Sequence, residues 1–318
     1  MNPGPIILTG AGGDIGIALA RVLRETLPGT TVIGADCNQQ AVGAEFVDRF
    51  YRLPSAGERG FTTALASLVE ASGAKLVIPL AEAELARLAA EGRLGGKIAG
   101  AAIITPNAKA VETGLDKLAT ARVLQEAGIA VPESGIVGKD MPGDFDCIIK
   151  PRSGQGSKGI AFTARQGFAA LAQSRKGDLW QRWLKNEGEE YTCGLARFSA
   201  MPTRLLAFRR ALQGGLTGSG EVVHDPRIEQ ICERVADVLE LDGAINIQLR
   251  IDSGEPTIFE INPRFSSTVG FRHRLGFCDA IWAIKARLGL PIDAYTPPLA
   301  GTRIERVAQE IIRPPSGM

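Results

Sequence analysis

Histidine, tyrosine and tryptophan are scarce in this sequence. The 318 residues include two histidines, three tyrosines and three tryptophans, and aromatic residues make up 6% of the chain. The five cysteines stand far apart, and no two have the spacing of metal ligands. We therefore expect neither a zinc site nor a framework of disulfide bonds.

The sequence also lacks a strong net charge and a long apolar run. Its formal net charge is +1, so we expect neither a nucleic acid nor a membrane as a partner. No apolar run approaches the roughly 20 residues that cross a bilayer, and the N-terminal "MNPGP" does not resemble a signal peptide. We expect a cytoplasmic protein, and the length is typical of two or three domains.

The stretch "ILTGAGGDIGIALARVL" predicts a strand, a glycine loop and a helix. Gly10, Gly13 and Gly16 follow a GxxGxxG spacing, and Asp36 stands 20 residues after Gly16. Such a loop can approach a phosphate at a helix N-terminus, and an acid at this distance is typical of a dinucleotide site. The loop is similar to that of the extended short-chain dehydrogenases, which also need a Tyr-x-x-x-Lys pair. None of the three tyrosines has a lysine four residues later, so dinucleotide binding and a plain tight turn both stay open.

The order of elements changes near residue 112. Before it, strands and helices alternate, which predicts an α/β unit with a parallel sheet covered on both faces. Its strands are predicted near Ile6–Leu8, Thr31–Ala35, Lys75–Pro79 and Ala102–Thr105, and its helices near Ile15–Glu25, Phe61–Ser72 and Glu82–Glu91.

After residue 112, hairpins dominate, and the pattern is that of an α+β fold. "DFDCIIKPRSGQGSKGIAFTA" predicts one antiparallel hairpin, and "AINIQLRI" with "PTIFEIN" predicts another across "DSGE". The other predicted elements are strands at Asp178–Leu184, Glu190–Phe198 and Arg204–Leu212, helices at Ile228–Leu239 and Asp279–Arg287, and an edge strand in "GTRIERVAQEII".

A second glycine loop follows a strand that ends in a lysine. In "IIKPRSGQGSKGI", Lys150 precedes a loop containing Gly154, Gly156 and Gly159. Backbone amides in such a loop can surround phosphate oxygens and close over them. The spacing is not that of a Walker A motif, and a plain flexible hairpin loop is the alternative.

Polar side chains alternate along the last predicted hairpin. Glu260 and Asn262 are two residues apart and share one face of their strand, and Gln248 falls close to opposite Glu260 on the partner strand. A carboxylate and two amide oxygens are hard ligands that suit magnesium. Arg264, the next same-face residue, could hold a phosphoryl oxygen or a carboxylate. The alternative is an exposed polar sheet face.

Together these segments resemble the ATP-grasp superfamily, in its carbamoyl-phosphate-synthase-like branch. The most specific part is "NIQ" followed by "EINPR"; "DKLATARVLQEAGIAVP", "IIKP", "LWQRWLKNEGEEYTCG" and "VIPLAEAELARLA" also match. The resemblance implies a Rossmann-like pre-ATP-grasp domain followed by a two-part ATP-grasp domain. The implied divisions are 1–112 for the first domain, 113–180 for the lid subdomain and 181–318 for the C-terminal subdomain with a magnesium site.

The resemblance also implies roles for individual residues. One position departs from the family pattern: Gln181 stands where the hinge usually has Glu. A single grasp unit, where the synthase has two, argues against full carbamoyl phosphate synthesis. The implied residues are Arg264 and Lys150 for catalysis; Lys117, Lys150, Ser153, Gly154, Gly156, Ser157, Gln181, Arg182, Trp183, Leu184 and Glu190 for ATP; and Gln248, Glu260 and Asn262 for metal.

The implied reaction is ADP-forming ligation of a carboxylate to an amine or ammonia through an acyl phosphate. It needs ATP and one or two Mg²⁺ ions, for which Mn²⁺ can substitute. A homodimer is the default oligomer, and the alternatives are an NAD(P)-binding oxidoreductase and a nucleotide-binding module without turnover. Candidate contacts to the small-molecule substrates are Gly12, Gly13, Glu84, Arg272 and Arg274, where a solvated basic turn is the alternative for the two arginines.

Overall fold

A computed structural model describes residues 1–154, 159–184, 190–199 and 201–313. Three sheets organise these residues. The first has the order β3-β2-β1-β4-β6-β5, the second β7-β10-β8-β9, and the third β15-β14-β11-β12-β13-β16. None of the helices in the described ranges is long and apolar enough to cross a membrane.

The first sheet is the predicted parallel one. All of its neighbouring strands pair in parallel except β5 and β6. Its strands are β1 Ile6–Thr9, β2 Val32–Asp36, β3 Arg49–Arg52, β4 Leu76–Pro79, β5 Lys97–Ile98 and β6 Ala101–Ile103, and its helices are α1 Asp14–Thr26, α2 Phe61–Ser72 and α3 Glu82–Ala90. The sequence pattern missed β3, a largely exposed edge strand with two arginines, and β5.

The second sheet is antiparallel and follows two helices. The predicted hairpin of β8 and β9 is present, and β10 pairs with β8 on its other side. The helices are α4 Ala108–Leu115, α5 Lys117–Glu126 and α6 Phe168–Ala172, and the strands are β7 Ser134–Ile136, β8 Cys147–Lys150, β9 Ala161–Thr163 and β10 Leu179–Arg182. The predicted boundary after residue 180 falls inside β10, and the domain limits remain a prediction.

The third sheet is also antiparallel and contains the predicted polar hairpin. Its strands are β11 Glu190–Arg197, β12 Arg204–Gln213, β13 Leu216–Val223, β14 Gly243–Asp252, β15 Glu255–Asn262 and β16 Arg303–Glu305, and its helices are α7 Pro226–Val238, α8 Val269–Arg274 and α9 Asp279–Arg287. The sequence pattern missed β13, which contains two glycines, and α8. Helix α7 begins two residues before its predicted start because Asp225 caps it and Pro226 fits its first turn.

One hydrophobic core joins the first and third sheets. It combines β1 and α1 of the first sheet with α9 and parts of β11 and β12 of the third. A separate core lies under α7 on the opposite face of the third sheet, whereas the second sheet has only small clusters of its own. The N-terminal part and the third sheet therefore pack as one body, and the second sheet is attached to it.

Candidate active site

One face of the third sheet is polar at one end of its strands and apolar at the other end. On β14, Arg250, Gln248 and Asn246 line a cavity of about 660 Å³, while Ala244, on the same face, is buried in the shared core. The same change runs along β11, from Glu190 and Thr192 at the cavity to Ala196 in the core. Because alternate residues share a face, the polar end of the sheet forms the floor of the cavity and the apolar end anchors the N-terminal part.

A β-bulge sets the register of the polar hairpin. Leu249 pairs with Ile258, but Gln248 pairs with Glu260, so that Phe259 is the extra residue. A regular count from the turn would have placed Gln248 opposite Phe259, and the bulge brings it opposite Glu260. The prediction that Gln248 lies close to Glu260 agrees with the register, and Ile261 points into the core as expected.

Gln248, Glu260 and Asn262 all line the cavity floor. Asn262 is 5% exposed; its Oδ1 accepts a hydrogen bond from Arg264, and its Nδ2 has no partner among the described residues. In those residues no cluster of three His, Cys, Asp or Glu side chains could hold a metal ion. The oxygen donors gathered here are one carboxylate and two amides, which fits a hard cation that takes further oxygens from a bound phosphate.

Two lysines reach this floor from outside the sheet. Lys117, the first residue of α5, places Nζ 3.6 Å from Glu260 Oε1 and donates to the carbonyl of Gly154 at 2.8 Å. Lys150, the last residue of β8, donates to Gln181 Oε1 at 3.0 Å and to the carbonyl of the bulge residue Phe259 at 3.5 Å. The two ammonium groups and the Glu260 carboxylate therefore meet in one region.

Burial lowers the pKa of Lys150 to about 8. The Glu260 carboxylate opposes this shift, and the charge of Lys117 adds to it. Gln181 is buried, and it also donates from Nε2 to Ser134 Oγ at 3.2 Å. An uncharged glutamine thus holds Lys150 where the family pattern usually has a carboxylate.

The predicted hinge residues Gln181, Arg182, Trp183 and Leu184 line the cavity. Their backbone is partly engaged within the protein. The N–H groups of Arg182 and Trp183 donate to the carbonyls of Glu133 and Asp146, and the Leu184 carbonyl accepts from Arg250. These two N–H groups are therefore engaged within the protein, and the assignment of Gln181, Arg182, Trp183 and Leu184 to ATP stays a prediction.

Glu190 also lines the cavity but is bound by two arginines. Its Oε1 accepts from Arg210 Nη2 at 2.6 Å and its Oε2 from Arg250 Nη2 at 2.7 Å. Burial raises its pKa, but the two guanidinium groups outweigh burial, and the net shift is downward. The carboxylate is therefore fixed and ionised at the cavity wall.

Arg264 is held by the N-terminal part. Its Nη2 donates to Glu82 Oε1 at 3.2 Å and to Asn262 Oδ1 at 3.1 Å. Its Nε is buried without a partner among the described residues. Burial raises the pKa of Glu82, while the Arg264 charge pulls it down. The sequence motifs did not indicate Glu82, although it starts the helix in "VIPLAEAELARLA".

Of the predicted phosphate loop, Ser153 and Gly154 line the cavity. Gly156 and Ser157 lie outside the described residues.

The five predicted substrate contacts are not among the lining residues of the cavity. The Gly12 amide donates to Asp36 Oδ2 at 2.8 Å, and Gly13 is exposed. Glu84 is buried and accepts from Thr9 Oγ1 at 2.8 Å, and burial raises its pKa to about 7. These groups stabilise the turn after β1 and do not face the cavity.

The two predicted arginines also lie away from the cavity lining. Arg272 is fully buried, 2.6 Å from Asp279, and its Nη1 donates to Asn246 Oδ1 at 3.3 Å. Arg274 is 73% exposed and lies 3.7 Å from Glu25 on α1. In the pattern "GFRHRLGF", residues 270–274 belong to helix α8, and Arg272 is part of the core.

Other residues that the motifs did not indicate line the cavity instead. They come from the start of α1, from β11 and β14, and from the loop after β15: Asp14, Ile15, Thr192, Asn246, Ser266 and Ser267. Asn246 could have been found from sequence, because it precedes Gln248 by two residues and so shares its face.

Family comparisons agree with this architecture. Residues 186–310 match the family described as ATP-grasp in the biosynthetic pathway with Ter operon, and residues 6–95 match the PylC-like N-terminal domain. None of the curated protein sequences compared matches this chain. The chain therefore carries an ATP-grasp domain behind a PylC-like N-terminal domain.

Several solved structures share the fold. N5-carboxyaminoimidazole ribonucleotide synthetase from Thermus thermophilus superposes with a TM-score of 0.72 at 17% identity, covering 94% of this chain and 81% of that one. Biotin carboxylase from Campylobacter jejuni, in complex with a β,γ-ATP compound, gives 0.69 at 16% identity, covering 91% and 72%. The biotin carboxylase domain dimer of 2-oxoglutarate carboxylase from Hydrogenobacter thermophilus, solved with MgADP, ADP and bicarbonate, gives 0.70 at 17% identity, covering 91% and 71%.

Proposed function

We propose that this protein is an ATP-dependent ligase that activates a carboxylate as an acyl phosphate, releases ADP and joins the acyl group to an amine or ammonia. The observation that carries the proposal is the meeting of Lys117, Lys150 and Arg264 with Glu260 and Asn262 in one cavity. Transfer of a phosphoryl group to a carboxylate brings two anions together, so the site must supply positive charge and fixed positions.

Mg²⁺, when bound, would neutralise phosphate charge and orient the transferred group. Glu260, Gln248 and Asn262 would hold it. Lys117 and Lys150 would bind phosphate oxygens beside it, and Arg264, clamped by Glu82, would orient the carboxylate or the transferred phosphoryl group. Ser153 and Gly154 would cover the phosphates and help exclude water from the acyl phosphate.

Packing around the first glycine loop disfavours the oxidoreductase alternative. A Cβ on Gly43, in the short 3-10 helix Val42–Phe46, would lie 2.0 Å from the Ala11 carbonyl oxygen. Asp36, the expected ribose ligand, holds the Gly12 and Asn38 amides with its two oxygens. Protein atoms thus lie against Ala11 and Gly12 of the loop, and both Asp36 oxygens are already engaged.

The test is ADP release with Mg-ATP across a panel of carboxylates, with amines, ammonia or hydroxylamine as acceptors. We expect release that depends on a carboxylate, and its loss in Glu260→Ala and Lys150→Ala. Arg274→Ala, at an exposed position outside the cavity, is the control that should keep full activity. Tight NAD(P)H binding with no thermal shift from Mg-ATP would support the oxidoreductase instead, and ATP binding that never yields ADP would support a module without turnover.

A further inference from the structure

The cavity wall contributed by the N-terminal part carries a carboxylate. Asp14 is the first residue of α1 and directly follows its N-cap, Gly13. It lines the same cavity as Asn262 and Arg264, on the side provided by the first sheet. The sequence predicts that this helix start favours an anion, but its first residue already carries a carboxylate.

The Asp14 carboxylate is incompletely satisfied. Its Oδ2 is buried and has no hydrogen-bond partner in the described part of the chain. A desolvated carboxylate oxygen without a partner is costly, whereas a charged donor that reaches it recovers the cost.

The floor of the cavity contains hydrogen-bond donors that lack an acceptor among the described residues. Arg264, whose side chain is 9% exposed, has a buried Nε without a partner, and the Nδ2 of the buried Asn262 is also without one in the described ranges. Because both atoms are buried, an acceptor such as a carboxylate or a phosphoryl oxygen can reach them only after the side chains shift. Arg264 and Asn262 thus lie at the floor of the cavity, and the Asp14 carboxylate lies at its N-terminal wall.

We propose that Asp14 forms a subsite for an alkylammonium group, and that it selects a substrate carrying a protonated amine. This inference rests on the proposed function, because the carboxylate to be activated is assigned to the Arg264 side of the cavity. The ammonium belongs either to the carboxylate substrate, as in an amino acid, or to the acceptor amine, which then gives up a proton to solvent before its nitrogen attacks the acyl phosphate and displaces phosphate. In either case Asp14 determines specificity and takes no part in phosphoryl transfer.

The experiment compares substrates in matched pairs. In the first arm, hydroxylamine is the fixed acceptor, and each amino acid is compared with its deaminated analogue of the same carbon chain. In the second arm, the best carboxylate is fixed at saturation, and a protonated alkylamine is compared with hydroxylamine, which is neutral near pH 7.5. The wild type, Asp14→Asn, Asp14→Lys and Glu25→Gln are measured; Glu25→Gln removes a charge from the exposed end of the same helix.

We expect Asp14→Asn to lower kcat/KM about 10- to 100-fold for the ammonium-bearing member of the pairs in one arm, as expected for loss of a charged hydrogen bond. The arm in which this occurs identifies the source of the ammonium. The neutral member and the KM for ATP should not change, which also shows that the variant is folded. Asp14→Lys should reverse the preference, and Glu25→Gln should leave it intact.

Two failures are distinguishable. If the wild type releases ADP but Asp14→Asn keeps the wild-type ratio in both arms, the Asp14 subsite is wrong and the ligase proposal stands. If no carboxylate elicits ADP from the wild type, the ligase proposal is wrong, and the Asp14 inference is overturned with it.

Discussion

Arg264 Nη2 lies 3.2 Å from Glu82 Oε1, so the loop after β15 is tied to helix α3 of the N-terminal part. Both side chains are nearly buried, at 9% and 7% exposure. The same Arg264 nitrogen donates to Asn262 at the cavity floor. Glu82 therefore fixes the direction of a guanidinium group from outside the sheet that carries it.

Glu82→Gln should weaken this orientation while preserving shape. Loss of a buried charge-assisted hydrogen bond is worth about 1.5–3 kcal/mol, so we expect kcat for ADP release to fall about 10-fold or more with little change in the KM for ATP. Steady-state kinetics of Glu82→Gln, Arg264→Lys and the double variant form a thermodynamic cycle. Additive effects of the two changes would contradict a positioning role.

Lys150 predicts a pH dependence of nucleotide affinity. Its pKa in the folded protein is about 8, so the ammonium is present below that pH and is lost as pH rises through it. Phosphate binding requires the charged form, and the Kd for Mg-ATP should therefore increase above about pH 8. Isothermal titration between pH 6.5 and 9.5 measures this.

The variant Gln181→Glu tests whether Lys150 controls this pH dependence. A carboxylate 3.0 Å from Nζ, where the amide oxygen now lies, favours the charged lysine and should move the loss of affinity to higher pH. Lys150→Arg stays charged throughout and should flatten the profile. An unchanged profile in Gln181→Glu would mean that another group controls it.

The buried pair of Arg272 and Asp279 predicts a large effect on stability. Both side chains are at most 1% exposed, and removing one partner leaves an uncompensated charge in the core. Arg272→Ala should lower the free energy of unfolding by about 3–5 kcal/mol, measured by urea denaturation.

Two comparisons test the cause of that loss. The double variant Arg272→Met with Asp279→Leu should recover much of the stability, since no buried charge remains. Arg274→Ala, exposed two residues away, should be nearly neutral. A small effect of Arg272→Ala would show that the side chain can reach water.

We expect a side chain at Gly43 to disturb the packing of the first glycine loop only. An added Cβ would lie 2.0 Å from the Ala11 carbonyl oxygen, so backbone must move, whereas a Cβ on Gly57 would meet nothing within 4 Å. Gly43→Ala should cost about 1–3 kcal/mol in urea unfolding, and Gly57→Ala should cost little. Equal stability of the two variants would mean that the 3-10 helix Val42–Phe46 does not pack tightly against the loop.

The sequence predicted the site best where side chains alternate along a strand. Glu260, Asn262 and Gln248 were found because a strand places every second residue on one face. The bulge at Phe259 was not found, since no local pattern distinguishes an extra residue from a regular one. The Arg264 partner Glu82 comes from 182 positions away, and such a contact depends on how two sheets pack.

The predicted substrate contacts lie away from the cavity lining. Arg272 and Arg274 follow the polar hairpin closely in sequence, but a helical turn sends one into the core and the other to the surface. For the glycine loop, the backbone was correctly predicted as a strand-to-helix turn. The packing of residues 41–43 against Ala11 and Gly12 was not predicted, because that segment has no strong periodicity.

The core shared by the first and third sheets has a mechanical consequence. Apolar side chains of β1 and α1 interlock with those of α9, β11 and β12, so separating these parts would expose both to water. We therefore expect the two parts to unfold in a single transition. If the chain is cleaved between them, they should stay associated, because each part alone would expose its apolar surface to water. The second sheet, which brings Lys150 and Gln181 to the cavity, lies outside this shared core and has only small clusters of its own, so we expect it to shift more easily than the two parts that the core joins.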